Sequence, residues 1–544
     1  MTTLFNIADV LELAVDKYPE REYLVCDGKR CSYIEMERRA NRLAHHLQAR
    51  GIGPGDHVGI YGLNCIEWVE SMWACLKIRA VYVNINFRYV ADELAYIFDN
   101  ADLKAVIVEG QFLSLLDSLR DSLPKLEHIL VIDDGAEEAT LADVSVKFEN
   151  FEAALASQSE ERDFPPRSED DHWMVYTGGT TGMPKGVVWR HGDVIFALGG
   201  GIDQMNHEVV TRPEEIVARG DAEHPMVILS IAPLMHGASQ WACLGRGFVG
   251  DKVVLTRHFD PGDVWQLVES ERVSSIFIVG DAMGRPMIEA YAAAEPKPDT
   301  SSLFVLTTSG AILSPSVKDN FFEHFPDLFL FDSIGASEVG GNGMIKVEKN
   351  KTEMIGGGPT VRVMSDTVVL NEETLEVLQP GDETVGKLAR TGCIPLEYYN
   401  DPKKSAETYV TAPDGKRYSM PGDYARVEAD GRITLLGRRS TCINSGGEKI
   451  YPEEVEAALK AHAEIFDCVV VGVPDETWGS RVAAVAQSRG EVKPDIEEIM
   501  AHCRKKVAGY KIPREIHYAE EIPRSPAGKP NYQWARSVAT GEGV

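Results

Sequence analysis

Strand-type and helix-type segments alternate along the first 110 residues, and this alternation restricts the possible folds more than any other feature. Apolar residues return to one helical face within 36–47 and 66–78, whereas short β-branched runs stand at 58–61, 80–83 and 105–108. Such alternation is typical of βαβ units, which build a parallel sheet covered by helices. We therefore expect an α/β fold that binds its ligands where parallel strands end.

Composition and charge exclude several classes of protein. The chain has 544 residues, of which 44% are hydrophobic, and its formal net charge is −29. So acidic a surface would repel phosphate backbones, and nucleic acid is therefore not an expected partner. No apolar run approaches the ~18 residues of a membrane span, and the N-terminus lacks a signal-peptide pattern. The nine cysteines form no C-x-x-C pair, which excludes the common zinc spacings and favours a reducing, cytoplasmic location.

A run of glycine and threonine, YTGGTTGMPKG, occupies residues 176–186. Glycine lets backbone N–H groups turn toward a phosphate, the threonine hydroxyls add donors, and Lys185 adds positive charge. The run is not a Walker A loop, because Pro184 stands where that pattern has glycine. The β-branched and aromatic residues that follow predict a strand after the loop. A flexible surface loop is the plain alternative to a polyphosphate site.

Several motifs resemble, in order, those of the adenylate-forming superfamily, which includes acyl-CoA synthetases, luciferases and peptide-synthetase adenylation domains. They cover essentially the whole chain. The glycine run resembles the phosphate signature, and 332–338 (DSIGASE) resembles Y-G-x-T-E, with isoleucine for the aromatic residue and serine for threonine. Residues 418–423 (YSMPGD) loosely match Y-x-T-G-D, 443–450 resemble the mobile loop of the pantetheine tunnel, and 523–529 (PRSPAGK) match P-R-x-x-x-G-K.

The resemblance implies roles for individual residues. Catalytic roles fall to Lys529, Lys185 and Glu338, and Thr177 and Glu338 are the implied magnesium ligands. Ser337 keeps the hydroxyl for a contact to the α-phosphate, Ile334 would pack on adenine without π-stacking, and Asp423 would accept from both ribose hydroxyls. The implied nucleotide-binding residues are Thr177, Gly178, Gly179, Thr180, Thr181, Gly182, Lys185, Gly310, Ala311, Asp332, Ser333, Ile334, Ser337, Asp423, Arg438 and Lys529.

The same resemblance implies the other sites and the domain organisation. We expect a large N-terminal AMP-binding domain (1–437), with several subdomains built on mostly parallel sheets, and a small mobile α+β C-terminal domain (438–544) that carries Lys529. Ser440 stands at the hinge position. Acyl-substrate contacts are assigned to His236, Gly237, Asp281 and Met283, and CoA contacts to Gly446, Gly447 and Lys449. Taken alone, a histidine after a strand end is more often structural.

The activity that the resemblance implies is that of an acyl-CoA synthetase using ATP, Mg²⁺ and CoA. Residues 176–190 and 280–286 look like those of an actinobacterial subgroup that activates steroid side-chain or long fatty acids. Medium-chain or aryl acids are the alternative substrates. An amino-acid-activating domain is disfavoured because 230–236 hold no aspartate, and a binding protein without activity is disfavoured because the charged motif residues are all present. A homodimer and a lysine acetyltransferase acting on Lys529 are the further partners considered.

Overall fold

The structure is a computed structural model that describes residues 4–135, 144–177, 183–203, 208–220, 223–349, 360–364, 366–438, 443–445, 448–475, 479–490, 492–507, 509–525 and 528–541. The helices are α1 Ile7–Lys17, α2 Tyr33–Ala49, α3 Ile66–Lys77, α4 Ala91–Asn100, α5 Leu113–Ser118, α6 Phe151–Ala156, α7 His191–Leu198, α8 Pro213–Ala218, α9 Gly237–Phe248, α10 Pro261–Glu271, α11 Gly280–Ala293, α12 Pro315–His324, α13 Pro402–Thr408, α14 Pro452–Lys460, α15 Ile496–Cys503 and α16 Tyr532–Thr540.

The strands follow the same chain order. They are β1 Glu22–Cys26, β2 Lys29–Ser32, β3 His57–Tyr61, β4 Val81–Ile85, β5 Leu103–Glu109, β6 His128–Ile132, β7 Glu149–Asn150, β8 His172–Thr177, β9 Lys185–Arg190, β10 Val227–Ser230, β11 Lys252–Leu255, β12 Ser275–Ile278, β13 Val305–Thr308, β14 Phe329–Ala336, β15 Gly340–Val347, β16 Thr360–Val363, β17 Thr367–Leu370, β18 Gly386–Arg390, β19 Glu397–Tyr398, β20 Tyr409–Thr411, β21 Arg417–Ser419, β22 Asp423–Val427, β23 Ile433–Arg438, β24 Ile443–Ser445, β25 Glu448–Ile450, β26 Ile465–Asp475, β27 Gly479–Ser488 and β28 Glu515–Tyr518.

The first α/β layer is a five-stranded sheet in the order β4-β3-β5-β6-β7. All of its neighbouring strands are parallel, which confirms the arrangement predicted from the alternating segments. Every residue of α3 is buried, including Trp68 and Trp73. A helix that is buried on all sides must be covered on all sides, and α3 contacts β1 of the large sheet as well as β3 and β4.

The large sheet runs in the order β2-β1-β11-β10-β12-β13-β14-β15-β16-β23-β22-β18-β21-β20, with β17 on β18. From β1 through β14 the neighbouring pairs are parallel, and from β14 onward they are antiparallel. The carboxyl ends of β10, β12, β13 and β14 therefore meet at one edge. Three of the predicted site segments, at 279–283, 309–311 and 337–338, follow β12, β13 and β14 directly, and a fourth, at 236–237, comes six residues after the end of β10.

A three-stranded antiparallel sheet, β19-β9-β8, carries the glycine-rich hairpin. The strand predicted after the loop is confirmed as β9, and it pairs with β8 along its whole length. Trp189 and Trp173 lie opposite each other in this pairing and are buried in the main core. Their burial fixes which face of the hairpin is turned inward.

The C-terminal part forms a separate sheet, β26-β27-β28, with α14, α15 and α16 packed on it. The predicted pairing of 469–473 with 482–485 is confirmed, for example by Val471 opposite Ala483. Two hydrophobic clusters here contain only residues from 443 onward. The predicted helix over 496–507 ends earlier, at Cys503. Together with the large body, this gives the α/β architecture that the sequence predicts. None of the helices in the described ranges is long and apolar enough to cross a membrane.

Candidate active site

The glycine-rich loop is closed at its base by the register of the hairpin. Thr177 lies opposite Lys185, and Tyr176 lies opposite Gly186, so both ends of the loop start from one point. A Cβ at Gly186 would stand 2.7 Å from a ring carbon of Tyr176, which explains the glycine there. The loop residues Gly178, Gly179, Thr180, Thr181 and Gly182 lie outside the described ranges. The structure therefore shows the two strands that flank this predicted phosphate site.

A buried amide ties this hairpin to the segment that carries His236. The Asn84 side chain donates to the carbonyls of Tyr176 (2.9 Å) and Met235 (2.6 Å), and its Oδ1 accepts from the Tyr176 N–H (2.9 Å). A buried amide with these contacts is costly to remove, because backbone groups would be left unpaired. Sequence reasoning missed Asn84. The available signal was one polar residue inside the otherwise apolar run of β4.

His236 caps α9 at the edge where β10 ends. Its Nε2 is buried and has no hydrogen-bond partner among the described residues. Burial, followed by the nearby charges of Lys529 and Arg88, lowers the pKa of His236 to about 4. The imidazole is therefore neutral at physiological pH. Gly237, the residue after His236, is closely packed. A Cβ there would lie 3.3 Å from Val175 and 3.9 Å from the Ser337 hydroxyl.

The lowered pKa of His236 predicts a pH dependence of stability. Between the unfolded pKa of about 6.5 and the folded value of about 4, the unfolded chain binds a proton that the folded chain does not. Stability therefore falls as pH drops through this window. We expect the H236Q variant to lose less stability than the wild type between pH 6.5 and 4.5, measured by urea unfolding at each pH. Parallel curves for the two proteins would contradict the buried, neutral state.

Two aromatic side chains and one serine side chain hold Glu338 and the residue before it in place. Tyr398 donates its hydroxyl to Oε1 of Glu338 (3.0 Å), and Ser419 donates to the Glu338 carbonyl. The indole of Trp189 donates to the carbonyl of Ser337 (2.9 Å). These contacts come from three different strands, β19, β21 and β9, and they fix the short segment after β14. The positioning role of Tyr398 was not predicted from the sequence.

Removing the Tyr398 hydroxyl is expected to loosen Glu338. A hydrogen bond to a charged group contributes about 1.5–3 kcal/mol, so Y398F is expected to slow the step that depends on Glu338 roughly tenfold. The matched control is Y409F, because the buried Tyr409 hydroxyl has no hydrogen-bond partner in the described part of the chain. The measurement is ATP-dependent pyrophosphate release. Equal rates for Y398F and the wild type would show that Glu338 needs no such anchor.

The predicted contacts on β14 divide between its two faces. Ser333 donates to the Thr308 carbonyl at 3.2 Å, whereas Ile334 is buried in a cluster with Val361 and Leu388. Ile334 therefore packs among apolar neighbours, and its contact with adenine stays a prediction. Alternation along a strand turns neighbouring side chains to opposite faces, so Ser333 and Ile334 have different surroundings.

Asp332, which the motif predicts to bind the nucleotide, is engaged inside the protein in this structure. Its Oδ2 accepts from the buried ammonium of Lys318 at 2.5 Å. Burial raises the pKa of Asp332, although the charge of Lys318 lowers it in part. In this structure the carboxylate therefore links β14 to α12.

The loop that carries Lys529 packs against the start of α11. A Cβ at Gly528 would stand 3.1 Å from the Val279 carbonyl, and a Cβ at Gly310 would stand 3.6 Å from the Val279 side chain. Lys529 and the turn at Gly310 and Ala311 thus approach Val279 from two directions. The charge of Lys529 also acts on His236. The structure therefore brings Lys529, His236 and the 310–311 turn to the same edge of the sheet.

The remaining predicted residues fall into two groups. Asp423 begins β22 and lies opposite Arg438, which ends β23, so these two positions are adjacent in the ladder. Asp281 and Met283 are both buried: Met283 packs in the core cluster of α11, and Asp281 faces charged partners described below. Ser440, Gly446 and Gly447 lie outside the described residues, as do the side chains of Arg438 and Lys449.

Comparison with known proteins gives the same assignment as the geometry. The AMP-binding enzyme family profile matches residues 11–399, and the profile of the AMP-binding enzyme C-terminal domain matches 454–529. The fold is that of an adenylate-forming enzyme. The chain belongs to the AMP-binding enzyme family.

Two relatives match over nearly their full lengths. The 3-oxocholest-4-en-26-oate–CoA ligase of Rhodococcus rhodochrous is 48% identical over 98% of this chain and 95% of its own length. A medium/long-chain-fatty-acid–CoA/3-oxocholest-4-en-26-oate–CoA ligase of Mycolicibacterium smegmatis is 45% identical over 98% of this chain and 96% of its own. These identities extend across both matched regions of the family.

Solved structures share the fold at lower identity. The anthranilate CoA ligase AuaEII with anthranoyl-AMP superposes with a TM-score of 0.84 and 23% identity, covering 99% of this chain and 98% of that one. ATP-bound MatB from Rhodopseudomonas palustris gives a TM-score of 0.79 and 20% identity, covering 97% of this chain and 98% of that one. The likeness covers the C-terminal part as well as the large body.

Proposed function

We propose that this protein is an AMP-forming acyl-CoA synthetase that activates a bulky hydrophobic carboxylic acid. The observation that carries the proposal is near-full-length identity, at 48% and 45%, to relatives named as CoA ligases. Further support comes from the site, where Lys529, His236 and the 310–311 turn share one sheet edge. The reaction joins the acid to AMP with release of pyrophosphate, and then transfers the acyl group to the thiol of CoA with release of AMP.

The first half-reaction needs charge placed correctly rather than a protein nucleophile. The substrate carboxylate attacks the α-phosphate of ATP, and negative charge builds on the transferring phosphate. Lys529 neutralises that charge from the loop packed on Val279, while Lys185 and the glycine-rich loop hold the leaving pyrophosphate. Neutral His236 adds no competing positive charge beside the acid. It offers a ring nitrogen that has no partner in the described part of the protein.

The residues at this edge fit a magnesium ion that arrives with ATP. No group of three or more His, Cys, Asp or Glu side chains within the described ranges could hold a metal ion. A Mg²⁺ shared with nucleotide phosphates needs only one or two protein carboxylates and keeps several waters. Glu338, fixed by Tyr398, would supply one such carboxylate, and the Thr177 hydroxyl at the base of the loop would supply a neutral ligand. When bound, the ion neutralises phosphate charge.

The second half-reaction needs the C-terminal part to move. We assign the body to 1–437 and the mobile domain to 438–544, with the hinge at Ser440. Lys529 would withdraw, and Gly446, Gly447 and Lys449 would approach the pantetheine arm of CoA. This assignment is supported by the separate C-terminal sheet and by hydrophobic clusters confined to that part. Gly310, Ala311, Ser333, Ser337, Asp423 and Arg438 would hold the nucleotide in both steps.

The acid is proposed from the relatives, since both named relatives take 3-oxocholest-4-en-26-oate. The deciding experiment measures pyrophosphate release and thioester formation with a steroid side-chain acid, palmitate, octanoate, benzoate and an amino acid. We expect the steroid and long-chain acids to give the highest kcat/KM. Thioester formation with benzoate or octanoate alone would move the substrate class to aryl or medium-chain acids. Activation of the amino acid alone, or no pyrophosphate release at all, would reject the proposed activity.

The setting of the enzyme is proposed on the same basis. A cytoplasmic location is supported by the free state of all eight cysteines that the structure describes. A lysine acetyltransferase acting on Lys529 would switch off the first half-reaction, because acetylation removes the ammonium charge. A homodimer is the oligomeric state we consider, and the mass in solution tests it.

A further inference from the structure

Three charged residues line one face of α11 at successive turns. Asp281, Arg285 and Glu289 are spaced by four, which places them in a row on the helix surface. The first two are almost fully buried, at 7% and 4% exposure. Such buried charges need partners, and the partners of this row come largely from the C-terminal part of the chain.

Lys460, at the end of α14, reaches across to this row. Its ammonium lies 3.2 Å from Oδ2 of Asp281, and Lys460 itself is 6% exposed. Oδ1 of Asp281 accepts a hydrogen bond from the Ser314 N–H at 2.7 Å. The Arg285 guanidinium lies 3.5 Å from Oδ2 of Asp281. Farther along the row, Glu289 pairs with Arg489. The ring of Phe466 lies between these pairs, within 6 Å of both guanidinium carbons.

The charges at this contact are mutually supporting. Burial opposes ionisation of Asp281, but Lys460 and Arg285 outweigh it and hold the pKa of this carboxyl below its ordinary value. Burial likewise opposes a charged Lys460, but Asp281, helped by Asp467, keeps the pKa of the ammonium raised. Both groups are therefore ionised, and the contact is a true ion pair across the two parts of the chain.

The contact continues into the loop that carries Lys529. Arg524 binds Asp467 through two hydrogen bonds (2.6 and 2.7 Å) and donates to the Gly528 carbonyl at 2.9 Å. Lys460 lies close enough to both partners for their charges to act on it. Val279, two residues before Asp281, lies so near Gly528 that a Cβ at Gly528 would stand 3.1 Å from its carbonyl oxygen. The ion pair and the reactive loop are thus neighbouring parts of one interface.

We propose that Asp281 and Lys460 form a positioning pair that holds the C-terminal part against α11 for acyl-AMP formation and separates before thioester formation. This inference rests on the proposed function. It also gives Asp281 a different role from the acyl-substrate contact predicted from the sequence. Two buried charges gain little net stability from each other, because their desolvation offsets their attraction. A contact of this kind can therefore open at little net cost in free energy, since both charges regain water when the two parts separate.

K460M is the most direct test, because it removes the charge on the mobile side and leaves Asp281 with Arg285 and Ser314. We expect acyl-AMP formation to slow on the order of tenfold, with thioester formation from preformed acyl-AMP unchanged. K460R should recover part of the lost rate. D281N and the double variant complete a mutant cycle, and the two effects should be less than additive if these residues act on each other. The matched control is D299N, which breaks an exposed pair with Arg272 and should change neither half-reaction.

A readout without substrate separates this proposal from the proposed function. In small-angle X-ray scattering of the full chain, K460M should have a larger radius of gyration than the wild type and D299N. Equal losses in both half-reactions, or additive effects in the cycle, would overturn the positioning role in favour of a merely structural one. If the wild type forms no acyl-AMP with any acid, the proposed function fails and the assignment to that step falls with it. Unchanged scattering of K460M would overturn the contact itself as a determinant of domain position.

Discussion

The K529A variant is expected to lose the first half-reaction and keep the second. The Lys529 ammonium is the positive charge that the loop on Val279 brings beside His236. Removing one preorganised donor of this kind typically costs on the order of 3 kcal/mol, or about a hundredfold in rate. Pyrophosphate release should therefore fall by about that factor. Thioester formation from preformed acyl-AMP should stay within about twofold of the wild type, because in the proposed mechanism the lysine has by then left the site.

Two controls make this result specific. K493A removes a lysine of the same C-terminal part whose ammonium lies over the Tyr518 ring, and it should change neither step. Enzyme acetylated at Lys529 should behave as K529A does, because both lack the charge. If K529A and the acetylated enzyme both form acyl-AMP at the wild-type rate, the proposed mechanism of the first step is wrong.

The E338Q variant is expected to weaken magnesium-dependent acyl-AMP formation by about a hundredfold at low magnesium. A neutral amide is a poorer ligand than a carboxylate for a hard cation, while the Tyr398 hydroxyl can still donate to the amide oxygen. The fold should therefore persist. Raising the magnesium concentration should recover part of the rate. The measurement is the rate of pyrophosphate release across a magnesium titration.

A second glutamate provides the matched comparison. Glu407 is exposed on α13 and pairs with Lys404 at 3.0 Å, so E407Q repeats the chemical change away from the site edge. Its magnesium dependence should follow the wild-type curve. A magnesium titration of E338Q that superposes on the wild-type curve would remove Glu338 from the metal assignment and leave Tyr398 with a purely structural role.

Local patterns were sufficient to predict much of the architecture. The β-branched runs and amphipathic helices of the first 110 residues fold as the parallel layer that they predict. The strand after the glycine run forms because its residues are β-branched and aromatic. Helix ends were predicted less accurately. The helix expected over 496–507 ends at Cys503. Such ends depend on capping and packing, which periodicity does not encode.

The site was predictable only where a motif fixes both the residue and its orientation. Lys529 and His236 approach the same edge of the sheet, and their roles in the reaction stay predictions. The packing of Ile334 was not predicted, because a motif letter carries no information on which face of β14 its side chain takes. Asn84, Tyr398 and Lys460 were missed for a different reason. Each acts on a residue at least 60 positions away. Asn84 stands out as a polar residue inside the apolar run of β4, but this local signal does not show which residues it contacts.

The continuity of the large sheet has a consequence for how such an enzyme diversifies. Its ladder runs unbroken from the parallel strands through β14, β15 and β16 to β23, which ends at Arg438, two residues before the proposed hinge at Ser440. Hydrogen-bonded strands cannot rotate past one another without breaking that ladder. The described strands of this ladder therefore move as one unit. If the C-terminal part swings as proposed, substitutions that reshape the acid's binding site can accumulate on this unit without altering the swing, so selectivity and turnover would be separately adjustable.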